Sequence, residues 1–340
     1  NTGLRIELLV GAIKEKDKLE IRKRLNNGEI DLIIGTHAVF SQAVNYPNLG
    51  LVIIDEQHRF GVNQRSLLLQ KGEHADLLLM SATPIPRSLA LTLYGDLDLS
   101  TLKSFPNTKR DVITKIITND TTKINLLIEK SINLDRSVFI VAPRIEGQED
   151  NSVEVLVNYY QKKFPHLVSL VHGKMPQEQK ELSFADFKSG KSKILVATSV
   201  IEVGVDIKNA GLMIIFSPLS FGLSQLHQLR GRIGRDGQTS YCFLVSDDEE
   251  IDKLKILENS EDGFKIAEAD LALRGPGEII GVKQAGIPSF NCLNLISDFK
   301  LFTLARDDAS TIISDASNQD YQSILRQAKR EIDTSLFTNV

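Results

Sequence analysis

Two adjacent carboxylates stand at the end of a short apolar run in the first third of the chain. The run Leu51–Ile54 is rich in β-branched residues and does not alternate, which is typical of a strand buried on both faces of a parallel sheet, and Asp55 and Glu56 follow it directly. Open α/β sheets bind ligands at the carboxyl ends of such strands. One carboxylate could therefore hold Mg²⁺ while the other takes a proton from an attacking water. Taken alone, an acidic strand end in a solvated turn is an equally good interpretation.

Small polar residues follow the neighbouring predicted strands. Ser81 and Thr83 come after the next strand along the chain and could relay the state of a bound nucleotide to a second lobe. Thr36 and His37 follow the strand before, and they offer a hydroxyl and backbone N–H groups suited to a nucleic-acid phosphate. Each pair is a weak signal alone, because Ser, Thr and Gly after a strand are usually turn formers. Their order on consecutive strand ends favours one shared ligand-binding edge.

A pair of arginines in the second half of the chain suits a phosphate. In residues 228–235, which read QLRGRIGR, Arg232 and Arg235 would share one face if the segment is helical. Guanidinium forks match phosphate oxygens in a transition state, and such arginines can raise rates by about 10³–10⁵-fold. The alternative is a solvated basic helix face. Gly231 and Gly234 would weaken a purely structural helix and instead favour a close backbone approach.

Further binding candidates stand at a strand end upstream of the arginines. Thr198 could bind a backbone phosphate, and Asp206 could accept a sugar hydroxyl, although a turn-capping role for Asp206 is equally consistent with the sequence. Gly204 and Gln228 complete the candidates for nucleotide binding.

One segment imitates a phosphate-binding loop. Residues 190–192 read Gly-Lys-Ser, but Ala185 stands where the first glycine is required, and the predicted order runs from helix to strand instead of strand to helix. No other segment matches G-x-x-x-x-G-K-[ST]. Only two strands are predicted before the strand that leads into Asp55, so the sequence predicts a fragment that begins inside its first lobe.

Bulk composition is that of an ordinary globular protein with 340 residues. The net charge is −4, so any nucleic acid must bind through local basic patches. Cys242 and Cys292 lack metal-ligand or redox spacing, which favours reduced thiols in a cytoplasmic protein. No apolar run approaches the ~20 residues that span a bilayer. We therefore expect no membrane partner, and we expect a monomer.

Strand-like and helical runs alternate along most of the chain and predict an α/β fold. We expect two doubly wound parallel-sheet lobes, the first of them truncated, followed by a C-terminal helical hairpin and tail. The polar, proline-containing stretch 104–110 marks the first boundary. The predicted domains are residues 1–105, 106–250 and 251–340.

The combination of these motifs resembles the superfamily 2 helicases, whose lobes are RecA-like. Residues 55–58 read Asp-Glu-Gln-His, residues 81–83 read Ser-Ala-Thr, and residues 228–235 carry the glutamine and the two arginines. The flanks of the first two motifs are similar to those of the RecG family and its relatives, the transcription-repair coupling factor and PriA. Residues 261–286 resemble the translocation motif shared by RecG and the coupling factor.

The resemblance implies ATP-driven, Mg²⁺-dependent translocation on double-stranded DNA, converting stalled replication forks into four-way junctions. By position, Asp55 would hold Mg²⁺ through water and Glu56 would orient the attacking water. Arg232 and Arg235 would reach the γ-phosphate from the second lobe. Other matched positions would couple hydrolysis to movement: Gln57, His58, Arg274 and Gln284.

Departures from the family pattern leave alternatives open. The family's wedge domain and phosphate-loop lysine are absent from the sequence, so we expect no ATPase activity from this chain alone. A translocase like the coupling factor and a non-catalytic DNA-binding module remain alternatives. An RNA helicase is disfavoured by residues 261–286. Ala285 stands where the family often has a hydroxyl residue, and residues 144–148 match the family pattern only in part. These two departures affect the details of the motifs and not the resemblance to the family.

Overall fold

The computed structural model describes most of the two lobes and the helices that follow them. The described residues are 3–11, 13–56, 71–72, 75–81, 98, 100–102, 111–145, 152–202, 207, 209–247, 251–274 and 299–337. Several predicted site residues lie outside this set: Gln57, His58, Thr83, Gly204, Asp206 and Gln284.

The first lobe contains two pairs of parallel strands. β1 (Ile6–Leu9) leads through α1 (Glu15–Asn26) into β2 (Leu32–Gly35), and these two strands pair in parallel. β3 (Leu51–Ile54) pairs in parallel with β4 (Asp76–Leu79). Among the described residues these strands lie in the order that the sequence predicts, and β3 has the predicted bounds Leu51–Ile54.

One face of the first lobe's strands is open in the part of the chain that the structure describes. Val52 and Ile54 are buried against residues of the 39–49 loop, whereas Leu51 and Ile53 on the opposite face are 54% and 53% exposed. The prediction that this strand is buried on both faces is therefore wrong for the described structure. A parallel sheet needs cover on both sides, and the described residues cover only one side of this one.

The second lobe is a six-stranded, fully parallel sheet in the order β5-β10-β9-β6-β8-β7. Its strands are β5 (Val112–Ile117), β6 (Ser137–Val141), β7 (Val168–Val171), β8 (Ile194–Ala197), β9 (Ala210–Phe216) and β10 (Ser240–Val245). Every residue of β6, β8 and β9 is buried, as expected for central strands covered on both faces.

Helices cover both faces of this second sheet. α2 (Thr121–Asn133) and α3 (Val153–Lys163) pack on one face, and α4 (Gln177–Lys188) and α5 (Leu223–Arg230) pack on the other. The predicted stripe of α3 is confirmed, because the four residues at its helical spacing are all buried: Val153, Leu156, Val157 and Tyr160. The doubly wound α/β fold class is thus confirmed.

The chain continues after β10 into helices that belong to the same core. α6 (Lys255–Asn259) and α7 (Gly263–Arg274) contribute Leu257 and Ile266 to the apolar cluster beneath α5. The Glu258 carboxylate also accepts a hydrogen bond from the backbone N–H of Ile116, at 2.8 Å. The predicted boundary after residue 250 stays a prediction, but tight packing crosses it.

The last described helices are α8 (Phe299–Ser314) and α9 (Gln322–Phe337). Among all the helices described, none is long and apolar enough to cross a membrane.

Candidate nucleotide and nucleic-acid site

The strand-end carboxylates lie where the sequence predicts them. Asp55 is exposed and Glu56 half-buried directly beyond β3, and the backbone N–H of Glu56 donates to Asp55 Oδ1 at 2.8 Å. Glu56 has a φ of 50°, a left-handed conformation that costs free energy in a residue other than glycine. The chain therefore turns sharply here and presents both carboxylates at the sheet edge.

Ser81 lies at the same edge as the carboxylates. Ile54 pairs with Leu79, and the N–H of Met80 extends the ladder by donating to the carbonyl of Ile54 at 2.8 Å. Glu56 and Ser81 each stand two residues beyond that last pair. The structure thus brings Asp55, Glu56 and Ser81 together, while their roles stay predictions.

Asp55 and Glu56 suit a Mg²⁺ ion that is also bound by nucleotide and water. They do not suit a metal whose ligands all come from protein side chains. Within the described ranges no group of three or more His, Cys, Asp or Glu side chains could hold a metal ion. Mg²⁺ in nucleotide sites is usually bound by one or two carboxylates, by waters and by substrate phosphates. Asp55 and Glu56 supply hard oxygen ligands of that kind and fit the ion.

Thr36 and His37 stand in a tight turn after β2. Both are exposed, and the turn Thr36–Val39 is closed by a hydrogen bond from the Val39 N–H to the Thr36 carbonyl at 3.1 Å. A Cβ at Gly35 would overlap the backbone carbonyl of Leu9, so only glycine lets the two strand ends approach this closely. Thr36 and His37 are therefore exposed at the end of β2, and their contact with a phosphate stays a prediction.

Thr198 follows β8 in the second lobe but is almost fully covered. It is 7% exposed, and its N–H donates to the carbonyl of Val171 at 3.3 Å. Ser199 next to it is partly exposed and is the more accessible hydroxyl of the two.

The two arginines do not lie on one helix face, so the helical arrangement considered from the sequence is wrong. α5 ends at Arg230, Arg232 lies in the turn that follows, and Gly234 has a φ of 71°. Arg232 is half-buried and Arg235 is exposed, with its guanidinium donating to the Gly231 carbonyl at 3.2 Å. We call residues 231–235 the arginine turn.

The two glycines explain why the helix stops. Gly234 adopts a left-handed φ, and a Cβ there would lie 2.8 Å from Val112 Cγ2 on the edge strand. A Cβ at Gly231 would lie 2.8 Å from the Gln228 carbonyl oxygen. The predicted close backbone approach is therefore confirmed, and it turns the arginine-bearing segment out of the helix.

Arg230, which lies in the same motif, points into the protein. It is 5% exposed and donates to the carbonyl of Leu257 at 2.6 Å and to Thr114 Oγ1 at 3.3 Å. Its second terminal nitrogen lies 2.9 Å from Nδ1 of His227. Burial lowers the pKa of Arg230 from its ordinary value. This arginine fastens α5 to α6 and is not placed for a phosphate.

Arg136 fixes the loop that follows the arginine turn, a role that no sequence pattern predicted. Its guanidinium donates to Asp236 Oδ2 at 3.0 Å, to Ser240 Oγ at 2.9 Å and to the Thr239 carbonyl at 2.5 Å. Gly211 makes room for it, because a Cβ there would meet the guanidinium. The loop after Arg235 is therefore fixed to the start of β6.

Three family models match successive parts of the chain. The DEAD/DEAH box helicase model covers residues 1–92, and the model of the helicase conserved C-terminal domain covers residues 122–237. The model described as ATP-dependent DNA helicase RecG, domain 3, C-terminal, covers residues 260–335.

Curated relatives and a solved structure match nearly the whole chain. The ATP-dependent DNA helicase RecG of Thermotoga maritima is 45% identical over 319 residues, which is 91% of this chain and 41% of the relative. The protein of the same name from Synechocystis sp. is 44% identical over 93% of this chain and 39% of its own length. A structure of RecG bound to a three-way DNA junction shows 42% identity with a TM-score of 0.65 and covers 88% of this chain and 40% of that one.

The chain thus spans about two fifths of the length of these relatives. Two helicase lobes followed by the RecG domain 3 segment appear in the order expected from the motifs. On this similarity and on the agreement of fold, the chain belongs to the family of ATP-dependent DNA helicases RecG.

Proposed function

We propose that this chain is the greater part of an ATP-dependent motor that moves along double-stranded DNA and remodels forks and four-way junctions. The observation that carries the proposal is the RecG domain 3 match over residues 260–335, directly after two helicase lobes. That segment separates RecG from RNA helicases, which share the lobes. It also favours RecG over the alternative of a coupling-factor-like translocase. The predicted monomeric state and cytoplasmic location stay predictions.

The proposed chemistry divides between the lobes. Mg²⁺ bound with ATP would neutralise charge on the phosphates. Asp55 would hold that ion through water, and Glu56 would orient the attacking water at the edge of the first sheet. Arg232 and Arg235 would stabilise the charge that develops on the transferred phosphoryl group. Gln228, Gly204 and Asp206 are proposed to contact the nucleotide.

The remaining predicted residues are proposed to contact DNA or to couple hydrolysis with movement. Thr36, His37 and Thr198 would meet backbone phosphates, and Ser81 with Thr83 would relay the nucleotide state. The other coupling positions are Gln57, His58, Arg274 and Gln284.

We expect the chain by itself to release no phosphate from ATP, with or without branched DNA. The sequence has no phosphate-binding loop, so it lacks the nest of backbone N–H groups and the Ser/Thr ligand that position the phosphates and Mg²⁺. A steady-state phosphate-release assay checks this, with Glu56→Gln as the background. Release clearly above that background would contradict the prediction.

The matched experiment adds a phosphate-binding loop to this chain. The loop-completed protein joins two segments. The first is the part of the Thermotoga maritima relative that precedes its matched region, where the family is expected to carry the phosphate loop, and the second is this chain. We expect DNA-stimulated hydrolysis from this protein and none from the isolated chain.

A non-catalytic DNA-binding module is a second candidate function. The sequence contains residues proposed to contact DNA but lacks the phosphate loop, and this contrast favours the second candidate. The retained residues are the exposed Thr36 and His37 and the segment 260–335. We expect forked duplex to bind this chain at low salt, with each neutralised phosphate contributing about −0.9 to the slope of log K against log salt. Fluorescence anisotropy over a salt series measures this. No binding at low salt would exclude the module and leave a structural role only.

A further inference from the structure

The N-terminus of α5 is capped by a residue from another helix. Its N-cap position is Gly222, which has no side chain to accept hydrogen bonds from the first turn. Instead the Asp270 carboxylate of α7 accepts from the N–H groups of Leu223 and Ser224, at 3.1 and 3.2 Å. A carboxylate at a helix N-terminus is favoured both by these charge-assisted bonds and by the helix dipole.

Asp270 stands in the middle of the buried stripe of α7. It is 6% exposed, and its neighbours on the same face are Ile266, Ala267 and Leu271, which are 0%, 5% and 4% exposed. A carboxylate in this position would be costly without partners. The two backbone N–H groups of α5 are the partners that offset this cost.

The other end of α5 is fastened to the same C-terminal helices. Arg230 at the last position of α5 donates to the Leu257 carbonyl in α6 at 2.6 Å. α5 is therefore held at its N-terminus by α7 and at its C-terminus by α6. The arginine turn begins one residue after this second contact.

We propose that Asp270 is a positioning residue that fixes the arginine turn to α7. This inference rests on the proposed function, because the turn matters only if its arginines meet a nucleotide. α7 ends at Arg274 and leads directly into the rest of the segment that resembles the translocation motif. A displacement of that segment would carry α5 and the arginine turn with it, since the carboxylate ties the two helices together.

Residue-resolved hydrogen exchange on the 340-residue chain tests the contact between Asp270 and the N-terminus of α5. Asp270→Ala removes both acceptor oxygens from the buried N–H of Leu223 and the partly buried N–H of Ser224. We therefore expect these two amides to exchange about tenfold faster. Exchange in the arginine turn should rise with them. Asp270→Asn keeps one carbonyl oxygen and should restore protection at one of the two amides.

Asp120→Ala is the matched control. Asp120 caps the N-terminus of α2 by accepting from the N–H groups of Thr122 and Lys123, at 3.0 and 3.2 Å. Its loss should loosen the first turn of α2 while α5 and the arginine turn keep their protection. If Asp120→Ala and Asp270→Ala raise exchange in α5 equally, or if Asp270→Ala leaves the arginine turn unchanged, the proposal is wrong.

Turnover separates positioning from simple stability. In the loop-completed protein, Asp270→Ala should lower kcat about tenfold or more with little change in the KM for ATP, because the arginines act in the transition state. Asp120→Ala should leave kcat per folded molecule unchanged. An Asp270→Ala protein with an unchanged kcat per folded molecule would show that Asp270 has only a structural role and would overturn the proposal. If the unsubstituted loop-completed protein hydrolyses no ATP, the proposed function fails, and the exchange comparison still decides whether Asp270 ties α5 to α7.

Discussion

Replacing Arg235 with alanine in the loop-completed protein is expected to lower DNA-stimulated ATP turnover by on the order of 10³-fold. Arg235 is exposed at the end of the arginine turn, and its guanidinium is held against the Gly231 carbonyl, 3.2 Å away. It is therefore oriented by the turn and accessible to a ligand. Arg232→Ala should cause a loss of similar size. Steady-state phosphate release at saturating branched duplex gives the comparison.

Two further variants make this test specific. Arg235→Lys keeps the charge but loses the planar fork, so we expect it to remain strongly impaired. Lys191→Ala serves as the control, because Lys191 belongs to the Gly-Lys-Ser segment that only imitates a phosphate loop and pairs with Asp186 on the surface. Its turnover should match that of the unsubstituted protein. If Lys191→Ala is inactive while Arg235→Ala is active, the assignment of the phosphate site is wrong.

Replacing Arg136 with alanine is expected to lower the free energy of unfolding by about 3–5 kcal/mol. The side chains of Arg136 and Asp236 are 10% and 15% exposed, so the pair is largely removed from water. The substitution removes the guanidinium that compensates the burial of the Asp236 carboxylate and of the Thr239 carbonyl, and the carboxylate keeps the hydrogen bond from the Gln238 N–H. Urea unfolding of this chain, followed by circular dichroism, measures the change.

An exposed ion pair in the same lobe gives the matched control. The side chains of Lys191 and Asp186 are 73% and 43% exposed, so Lys191→Ala should change the unfolding free energy by less than about 1 kcal/mol. Replacing Arg136 and Asp236 together by apolar residues should recover part of the loss, because no buried charge then stays uncompensated. An Arg136→Ala protein as stable as the Lys191→Ala protein would contradict this account of the turn.

Local sequence patterns were sufficient to predict most of the fold. The buried strands β6, β8 and β9 are continuous apolar runs, and the stripe of α3 repeats at helical spacing, so both signals are contained within one element. The polar residues directly after β2 and β3 could also be located, because the end of a strand fixes their place. Burial of β3 could not be predicted, since it depends on what covers the sheet.

The contacts that shape the arginine turn join residues far apart in the chain. Arg136 and Asp236 are 100 positions apart, and Asp270 lies 47 positions after Leu223. Periodicity within one helix or strand cannot reveal such partners. One signal was present, since Asp270 interrupts an apolar helical stripe, and a buried carboxylate at such a position requires hydrogen-bond donors from another element. The end of α5 at Arg230 was not predicted, because Gly231 and Gly234 were interpreted as positions of close backbone approach and not as the end of a helix.

Phosphate release by the loop-completed protein, measured with and without a four-way junction, decides whether this chain belongs to a junction-dependent motor. We expect hydrolysis that depends on the junction and is lost in Glu56→Gln. The isolated chain should show none. A folded loop-completed protein that hydrolyses no ATP on the junction, or whose hydrolysis is unaffected by Glu56→Gln, would contradict the claim that this chain is the greater part of a RecG-type motor.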